Sequence, residues 1–238
     1  VLVMKVNYVC FDFGNTLLHD PFDKVMRYQS KRFQSILKEH GHTLGRDEIV
    51  KAWKEANAKM HYPFISHFFQ ERPIVANMLE RLRVSTSPPL ISELLIAYRD
   101  GLKVAIASDK RLASVSYVLG ELKRRGKKLA VLSSERAQSL STMLLWAKLS
   151  RYFVKIMATE SIGVDKPDPQ VFWFLIRAIN AKREEVVYVG DSYTNDIVPA
   201  KKFGIKAIWY NRANEQFEMK YRPDKTISDL VTLLDIIE

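Results

Sequence analysis

Several apolar segments of the chain each end in, or are followed by, a polar residue that could take part in catalysis. Asp12 interrupts "VCFDFGNTLL", Ser133 ends "KLAVLSS", Lys166 lies in "GVDKPDPQVF" and Asp191 follows "VVYVG". A carboxylate can attack an electrophile or hold a hard cation, while lysine and serine side chains can bind an anion. Each residue alone is more often a turn or cap residue. Their occurrence together and in this order points to one catalytic site.

The segments that carry these residues alternate in a way that predicts a parallel sheet. An apolar strand is predicted over 6–11, and its unbroken hydrophobicity is typical of a strand buried on both faces. Farther along, predicted helices over 115–125, 138–149, 169–179 and 197–203 each lead into another apolar strand. This alternation predicts an α/β fold with a doubly wound parallel sheet, in which ligands bind at the carboxyl ends of the strands.

An all-helical block is predicted between the first strand and the rest of the sheet. Apolar residues recur at helical spacing in this block, and "STSPPLISELLIAYRDG" combines a serine cap, early prolines and Gly101 as a closing glycine. The segment over 102–111 fits a short strand, a helix end or a linker. We therefore expect a catalytic core over 1–19 and 111–238, with a helical domain inserted over 20–110.

Composition narrows the classes of protein to which the chain could belong. The hydrophobic share of 47% suits a folded core, and no apolar run is long enough for a membrane span. The single cysteine, Cys10, lies within an apolar run and is expected to be buried and unreactive. No secretory signal pattern is visible, so we expect a cytoplasmic protein without a membrane partner.

The net charge of +10 could attract nucleic acid or small anionic substrates. The densest basic run, Lys123 to Lys128, lies where a helix is predicted to end, and cations and Gly126 suit such an end. We therefore favour a structural role for this run and expect a small anionic partner rather than nucleic acid.

The motifs resemble those of the haloacid dehalogenase superfamily, in phosphatases that carry a helical cap between the first and second motifs. The resemblance covers nearly the whole chain, with "FDFGNTLL", "LAVLSS", "DKPDPQVF" and "VVYVGDSYTNDIVPAKKFGIKAIWY" as the four motifs. It implies a Mg²⁺-dependent phosphohydrolase that acts on a small phosphorylated metabolite through an aspartyl phosphate on the first aspartate.

The resemblance also implies a role for each matching residue. Asp12 is the expected nucleophile, assisted by Lys166 and Ser133 as further catalytic residues. The expected Mg²⁺ ligands are Asp12, the carbonyl of Gly14 and Asp191. The residues expected to bind substrate are Ser133, Ser134, Lys166, Thr16 and Asn15. Three further residues are expected to support the site without binding the metal, by orienting its ligands or Lys166: Asp196, Ser192 and Asn195.

Gly14 departs from the family pattern, because phosphatases of this family usually have a general acid and base aspartate two residues after the nucleophile. General acid–base catalysis typically contributes about 10²–10⁴-fold to a rate, so activity could be low. A phosphatase could still use activated leaving groups or recruit His19, Asp20 or Asp23. Alternatives are a phosphate- and Mg²⁺-binding regulatory protein on the same fold, and a carbon-centred, dehalogenase-like hydrolase that needs no metal.

Overall fold

The computed structural model describes residues 3–19, 21–22, 24–58, 71–217 and 220–238. The chain divides into two compact units, one formed by Val1–His19 with Asp109–Glu238 and the other by Asp20–Ser108. In the described part of the chain, no helix is both long and apolar enough to cross a membrane.

The described residues of the first unit form a six-stranded sheet. Its strands are β1 (Tyr8–Phe11), β2 (Lys128–Ser133), β3 (Phe153–Ala158), β4 (Val186–Gly190), β5 (Lys206–Tyr210) and β6 (Lys225–Ile227). They lie in the order β3-β2-β1-β4-β5-β6, and every neighbouring pair is parallel. The predicted doubly wound α/β fold is therefore confirmed. Because the strands are parallel, their carboxyl ends all lie at the same edge of the sheet.

Nine α-helices lie within the described residues. They are α1 (Val25–Glu39), α2 (Arg46–Ala58), α3 (Glu71–Arg81), α4 (Pro88–Ala107), α5 (Leu112–Arg124), α6 (Ala137–Trp146), α7 (Gln170–Ala178), α8 (Val198–Phe203) and α9 (Leu233–Ile236). The first four belong to the second unit, and the others connect or follow the strands of the sheet. A single π-helical turn, Tyr193–Ile197, leads directly into α8.

The central strand β1 is buried on both faces, as its unbroken hydrophobicity predicts. Val9, Cys10 and Phe11 are all fully buried although successive side chains point to opposite faces. On one face, Phe172 of α7 packs edge-on against Tyr188 of β4, with 4.9 Å between ring centroids. Burial raises the pKa of the Cys10 thiol, which favours its neutral and unreactive form.

The second unit has its own aromatic core. Trp53 of α2 lies between Phe33 of α1 and Tyr98 of α4, with ring centroids 5.8 and 5.3 Å away. Helix α4 begins at the predicted serine cap, since Ser87 Oγ accepts a hydrogen bond from the Leu90 amide. The interpretation of Gly101 as the end of this helix is wrong, because α4 continues to Ala107.

Gly101 instead lies where α4 closely approaches α1. A Cβ atom at this position would lie 2.5 Å from Gln29 Cγ and 3.0 Å from Val25 Cγ1, so the glycine is required by packing. The segment after it, which the sequence left open between strand, helix end and linker, is largely the last turns of α4.

The basic run lies at the end of α5, as predicted. Gly126 has φ of +79°, the left-handed conformation that commonly follows a helix. Lys123 Nζ donates to the Arg151 carbonyl at 3.0 Å, and Lys127 Nζ donates to the Val6 carbonyl at 2.8 Å. These bonds to the backbone agree with a structural role for the run.

Candidate functional site

The sheet brings the first and last acidic motifs to the same edge. The Asp12 amide donates to the Val189 carbonyl at 2.9 Å, which extends the pairing of β1 with β4 by one residue. Asp191 follows directly after β4. Asp12 therefore lies beside the end of β4 with its side chain almost fully buried, although the two motifs are far apart in the sequence.

Lys166 joins two of the carboxylates of this edge. Its Nζ atom lies 2.7 Å from Asp12 Oδ1 and 2.7 Å from Asp196 Oδ1. The loop that presents it is held by Asp165, whose Oδ1 accepts hydrogen bonds from the Lys166 amide at 2.7 Å and from Ser134 Oγ at 2.6 Å. The lysine is therefore a buried, positioned cation rather than a solvated loop residue.

Hydrogen bonds within the turn after β4 hold the Asp196 carboxylate in place. Asp196 Oδ2 accepts a hydrogen bond from the Ser192 amide at 3.0 Å, and Ser192 Oγ accepts one from the Asn195 amide at 3.2 Å. A Cβ atom at position 190 would lie within 2.5 Å of Asp196 Oδ2, so only glycine fits there. Asp196 thus acts as a fixed partner of Lys166, while the Asn195 side chain is exposed.

Three carboxylates converge at this edge, from Asp12, Asp191 and Asp196, with one oxygen of each within 4.8 Å of the others. Burial, opposed by Lys166, raises the pKa of Asp12 to about 6. Burial and the neighbouring Asp12 charge raise the pKa of Asp191 to about 7. Burial alone would lower the pKa of Lys166, but Asp12 and Asp196 raise it well above its usual value. The cluster therefore favours one more cation.

The turn after β1 lies against the same carboxylates. Thr16 Oγ1 lies 3.3 Å from Asp12 Oδ2 and 3.5 Å from Asp191 Oδ1, so its hydroxyl can donate a hydrogen bond to either carboxylate. Asn15 adopts the left-handed backbone conformation, with φ of 54°. The Gly14 carbonyl accepts a hydrogen bond from the Thr16 amide at 2.6 Å, which leaves one of its lone pairs for a metal.

The two serines after β2 are held by other partners. Ser133 is buried and its Oγ accepts a hydrogen bond from the Glu135 amide at 3.1 Å, while its hydroxyl can still donate a hydrogen bond to an anion. Ser134 supports the Lys166 loop through Asp165. Across the described residues, no hydrogen bond joins either serine to Asp12, Lys166 or Asp191.

Of the residues considered as substitutes for the missing acid, only His19 is described. Its Nδ1 atom lies 3.2 Å from Asn15 Oδ1 and 3.5 Å from Arg212 Nη1, and its amide donates to Asp109 Oδ2 at 3.2 Å. Asp20 and Asp23 lie outside the described residues.

Sequence reasoning missed Tyr188, which lies among these groups. Its hydroxyl donates to the Leu132 carbonyl at 3.0 Å and lies 3.3 Å from Lys166 Nζ and 3.4 Å from Asp196 Oδ1. In the sequence it reads as one more apolar strand residue. The available signal was a hydroxyl within an otherwise aliphatic buried strand, three residues before Asp191.

The chain matches one protein family and is similar to several named enzymes. The profile of the haloacid dehalogenase-like hydrolase family matches residues 9–210. The chain is 24% identical to the glyceraldehyde 3-phosphate phosphatase of Pyrococcus furiosus over 98% of this chain and 94% of that protein. It is 34% identical to the (S)-2-haloacid dehalogenase of a Pseudomonas species over 54% of this chain and 56% of that protein.

Solved structures share the fold over nearly the full length. The HAD-hydrolase YfnB of Bacillus subtilis, solved with magnesium, superposes with a TM-score of 0.68 at 17% identity, covering 98% of each chain. At this level of identity the likeness supports the fold, and the activity has to be argued from the site itself.

Proposed function

Because this chain belongs to the haloacid dehalogenase-like hydrolases, we propose that it is a Mg²⁺-dependent phosphatase acting on a small phosphorylated metabolite, with Asp12 as nucleophile. The named phosphatase relative that aligns along almost its whole length supports this reaction class. Composition supports it as well, since a net charge of +10 attracts anionic substrates.

One observation carries the proposal, namely the buried ion pair of Asp12 with Lys166 beside two further carboxylates. A nucleophilic carboxylate that attacks a carbon centre needs no metal ion, and so no set of carboxylates to bind one. Here Asp191 and Asp196 lie with Asp12 in one cluster, and among the described residues a single lysine, Lys166, forms ion pairs with these carboxylates. Such an excess of carboxylate oxygens suits a hard divalent cation, which takes oxygen ligands.

The residues present fit Mg²⁺. Asp12 and Asp191 would bind it directly, with the Gly14 carbonyl as a third protein ligand, while both oxygens of Asp196 are engaged by Lys166 and the Ser192 amide. Bound Mg²⁺ supplies charge neutralisation for the phosphate and for the carboxylate that attacks it.

The chain's own residues account for two displacement steps. An Asp12 oxygen forms a bond to phosphorus, and the bond from phosphorus to the leaving oxygen breaks with its electron pair. Water then attacks the phosphorus of the aspartyl phosphate, releasing inorganic phosphate and restoring Asp12. Throughout, Lys166 offsets negative charge at the nucleophile and at the phosphate, and the Ser133 hydroxyl donates a hydrogen bond to a phosphate oxygen.

Gly14 limits which leaving groups this site can release. It has no side chain to protonate the departing oxygen, so we expect aryl and acyl phosphates, whose leaving groups are stable as anions, to react best. The substrate is therefore expected to be activated, or to provide its own proton.

We further propose that the helical unit over 20–108 serves as a cap that selects the substrate. The four helices described in it and its separate aromatic core make it a compact unit. An inserted helical unit of this kind suits small substrates rather than macromolecules, since a cap encloses its ligand.

The test is hydrolysis of p-nitrophenyl phosphate with Mg²⁺ or with EDTA. We expect turnover that requires Mg²⁺ and falls about 10³-fold or more in Asp12→Asn, because that variant keeps the shape but removes the nucleophile. Asp235→Asn, which changes an exposed carboxylate of α9, is the matched control and should retain full activity.

Two other outcomes identify the alternatives. Halide release from (S)-2-chloropropionate without metal, in the absence of phosphatase activity, would instead assign the dehalogenase reaction of the Pseudomonas relative. Stabilisation by phosphate with Mg²⁺ but no turnover of any ester would indicate a binding protein, since a ligand of the native state raises the melting temperature without any reaction.

A further inference from the structure

A cavity of about 320 Å³ opens beside the carboxylate cluster within the first unit. Its walls come from the turn after β1, from Asp191 after β4 and from the loop after β5, which follow one another along the same edge of the sheet. The side chains that matter here are Asn15, His19, Asp191, Arg212 and Glu215. Its size suits a small molecule or part of one.

The loop after β5 is held in a fixed shape by Asn211. Its Oδ1 atom accepts a hydrogen bond from the Glu215 amide at 2.9 Å, and its Nδ2 atom donates to the Glu215 carbonyl at 2.9 Å. Arg212 is one of the residues between Asn211 and Glu215, so its backbone is held by these two hydrogen bonds. The cavity wall is therefore organised before a ligand arrives, which lowers the entropy cost of binding.

Arg212 brings a cation to this wall. Its Nη1 atom lies 3.5 Å from His19 Nδ1, and its guanidinium lies 6.0 Å from the centre of the Tyr210 ring. Over the described ranges, no carboxylate forms an ion pair with Arg212. Its planar set of donors matches a carboxylate in two-point contact. Two carboxylates of the same wall oppose this cation: Asp191, whose charge a bound Mg²⁺ would offset, and Glu215, whose side chain is exposed to solvent like that of Arg212.

We propose that Arg212 and His19 form a second anion subsite, which binds a carboxylate on the leaving group of the substrate. The proposal rests on the proposed function, because it takes the reacting phosphate to lie at Asp12. Asp191 belongs both to the carboxylate cluster and to the wall of this cavity. A short compound with a phosphate at one end and a carboxylate at the other can therefore meet both cationic groups, Lys166 and Arg212.

Two matched pairs of esters test the subsite. Phosphoglycolate and ethyl phosphate differ by a carboxylate, as do phosphoserine and phosphoethanolamine. We expect kcat/KM to favour at least one carboxylated member by about 10- to 100-fold, as for one charge-assisted contact. Arg212→Gln should remove this preference, and it should do so by lowering kcat/KM for the carboxylated ester more than for its partner without a carboxylate. Glu215→Gln, the matched control on the same loop, should keep the preference or increase it.

Calorimetric titration of the same esters onto the Mg²⁺-loaded protein separates the subsite from the reaction. Tighter binding of a carboxylated ester that is lost in Arg212→Gln supports the subsite even if no ester is hydrolysed, in which case only the proposed phosphatase reaction fails. Equal binding within both pairs, binding of none of the four esters, or a preference that survives in Arg212→Gln overturns the subsite.

Discussion

Lys166 Nζ lies 2.7 Å from Asp12 Oδ1, and the two residues stand 154 positions apart in the sequence. The same ammonium lies 2.7 Å from Asp196 Oδ1, so one buried cation serves two carboxylates while Asp191 lies nearby as a third. Removing one partner of a buried ion pair leaves an uncompensated charge, which costs far more than the pair itself contributes. The stability of the site and its chemistry therefore depend on the same lysine.

We expect Lys166→Met to lower the free energy of unfolding by about 3–5 kcal/mol at pH 8, because Asp12 and Asp196 lose their buried cation. The loss should be smaller at pH 5, where Asp12, with a pKa of about 6, takes up a proton. Urea denaturation at both pH values measures the difference.

Lys201→Met is the matched control. Lys201 Nζ also lies 2.7 Å from a carboxylate, Asp224 Oδ2, but both side chains are partly exposed. Its removal should cost less than about 1 kcal/mol at either pH. Equal losses in the two variants would contradict the role of burial.

The raised pKa values predict how stability changes with pH in EDTA. Asp12 and Asp191 have pKa values of about 6 and about 7 when folded, above the ordinary 3.8. The folded protein thus holds protons that the unfolded chain releases, so the free energy of unfolding should fall as pH rises from about 4 to about 7.

Mg²⁺ should reverse that loss, since it binds the ionised carboxylates. We expect saturating Mg²⁺ to raise the melting temperature by on the order of several degrees at pH 8 and by much less at pH 5. Asp191→Asn should weaken both the pH dependence and the effect of Mg²⁺. An equal rise at both pH values would indicate that the cation binds elsewhere.

Gly14→Asp should restore the general acid that the turn after β1 lacks. The position is open, since no atom lies within 4 Å of a Cβ placed there. We expect a gain of about 10²–10⁴-fold in kcat for an alkyl phosphate, which needs leaving-group protonation, and a smaller gain for p-nitrophenyl phosphate. Gly14→Asn controls for shape, and a gain from it as large as that from Gly14→Asp would argue against proton transfer.

The sequence predicted the sheet and its reactive edge because both depend on local patterns. Apolar strands followed by Asp12, Ser133 and Asp191 could be recognised directly, and parallel topology brings strand ends together. Tyr188 was missed because a strand pattern does not tell which buried hydroxyl meets which partner. Gly101 was misinterpreted for a similar reason, since its role depends on Val25 and Gln29 of another helix.

The two glycines inside α4 and α5 give a prediction in which packing opposes helix propensity. Replacing a mid-helix glycine with alanine alone stabilises a helix by about 1 kcal/mol. At Gly120 of α5 the new Cβ would lie 3.8 Å from Tyr152 Cε1, an ordinary contact, so Gly120→Ala should raise the free energy of unfolding by about 0.5–1 kcal/mol.

At Gly101 of α4 the same change meets Val25 Cγ1 at 3.0 Å and Gln29 Cγ at 2.5 Å. Gln29 can rotate away, but Val25 is fully buried and stiff, so overpacking of about 1–3 kcal/mol outweighs the helix gain. Gly101→Ala should therefore destabilise the protein by about 1 kcal/mol while Gly120→Ala stabilises it. Thermal and urea unfolding of both variants measure whether each change raises or lowers the free energy of unfolding. Stabilisation by Gly101→Ala would mean that α1 and α4 pack less closely in solution.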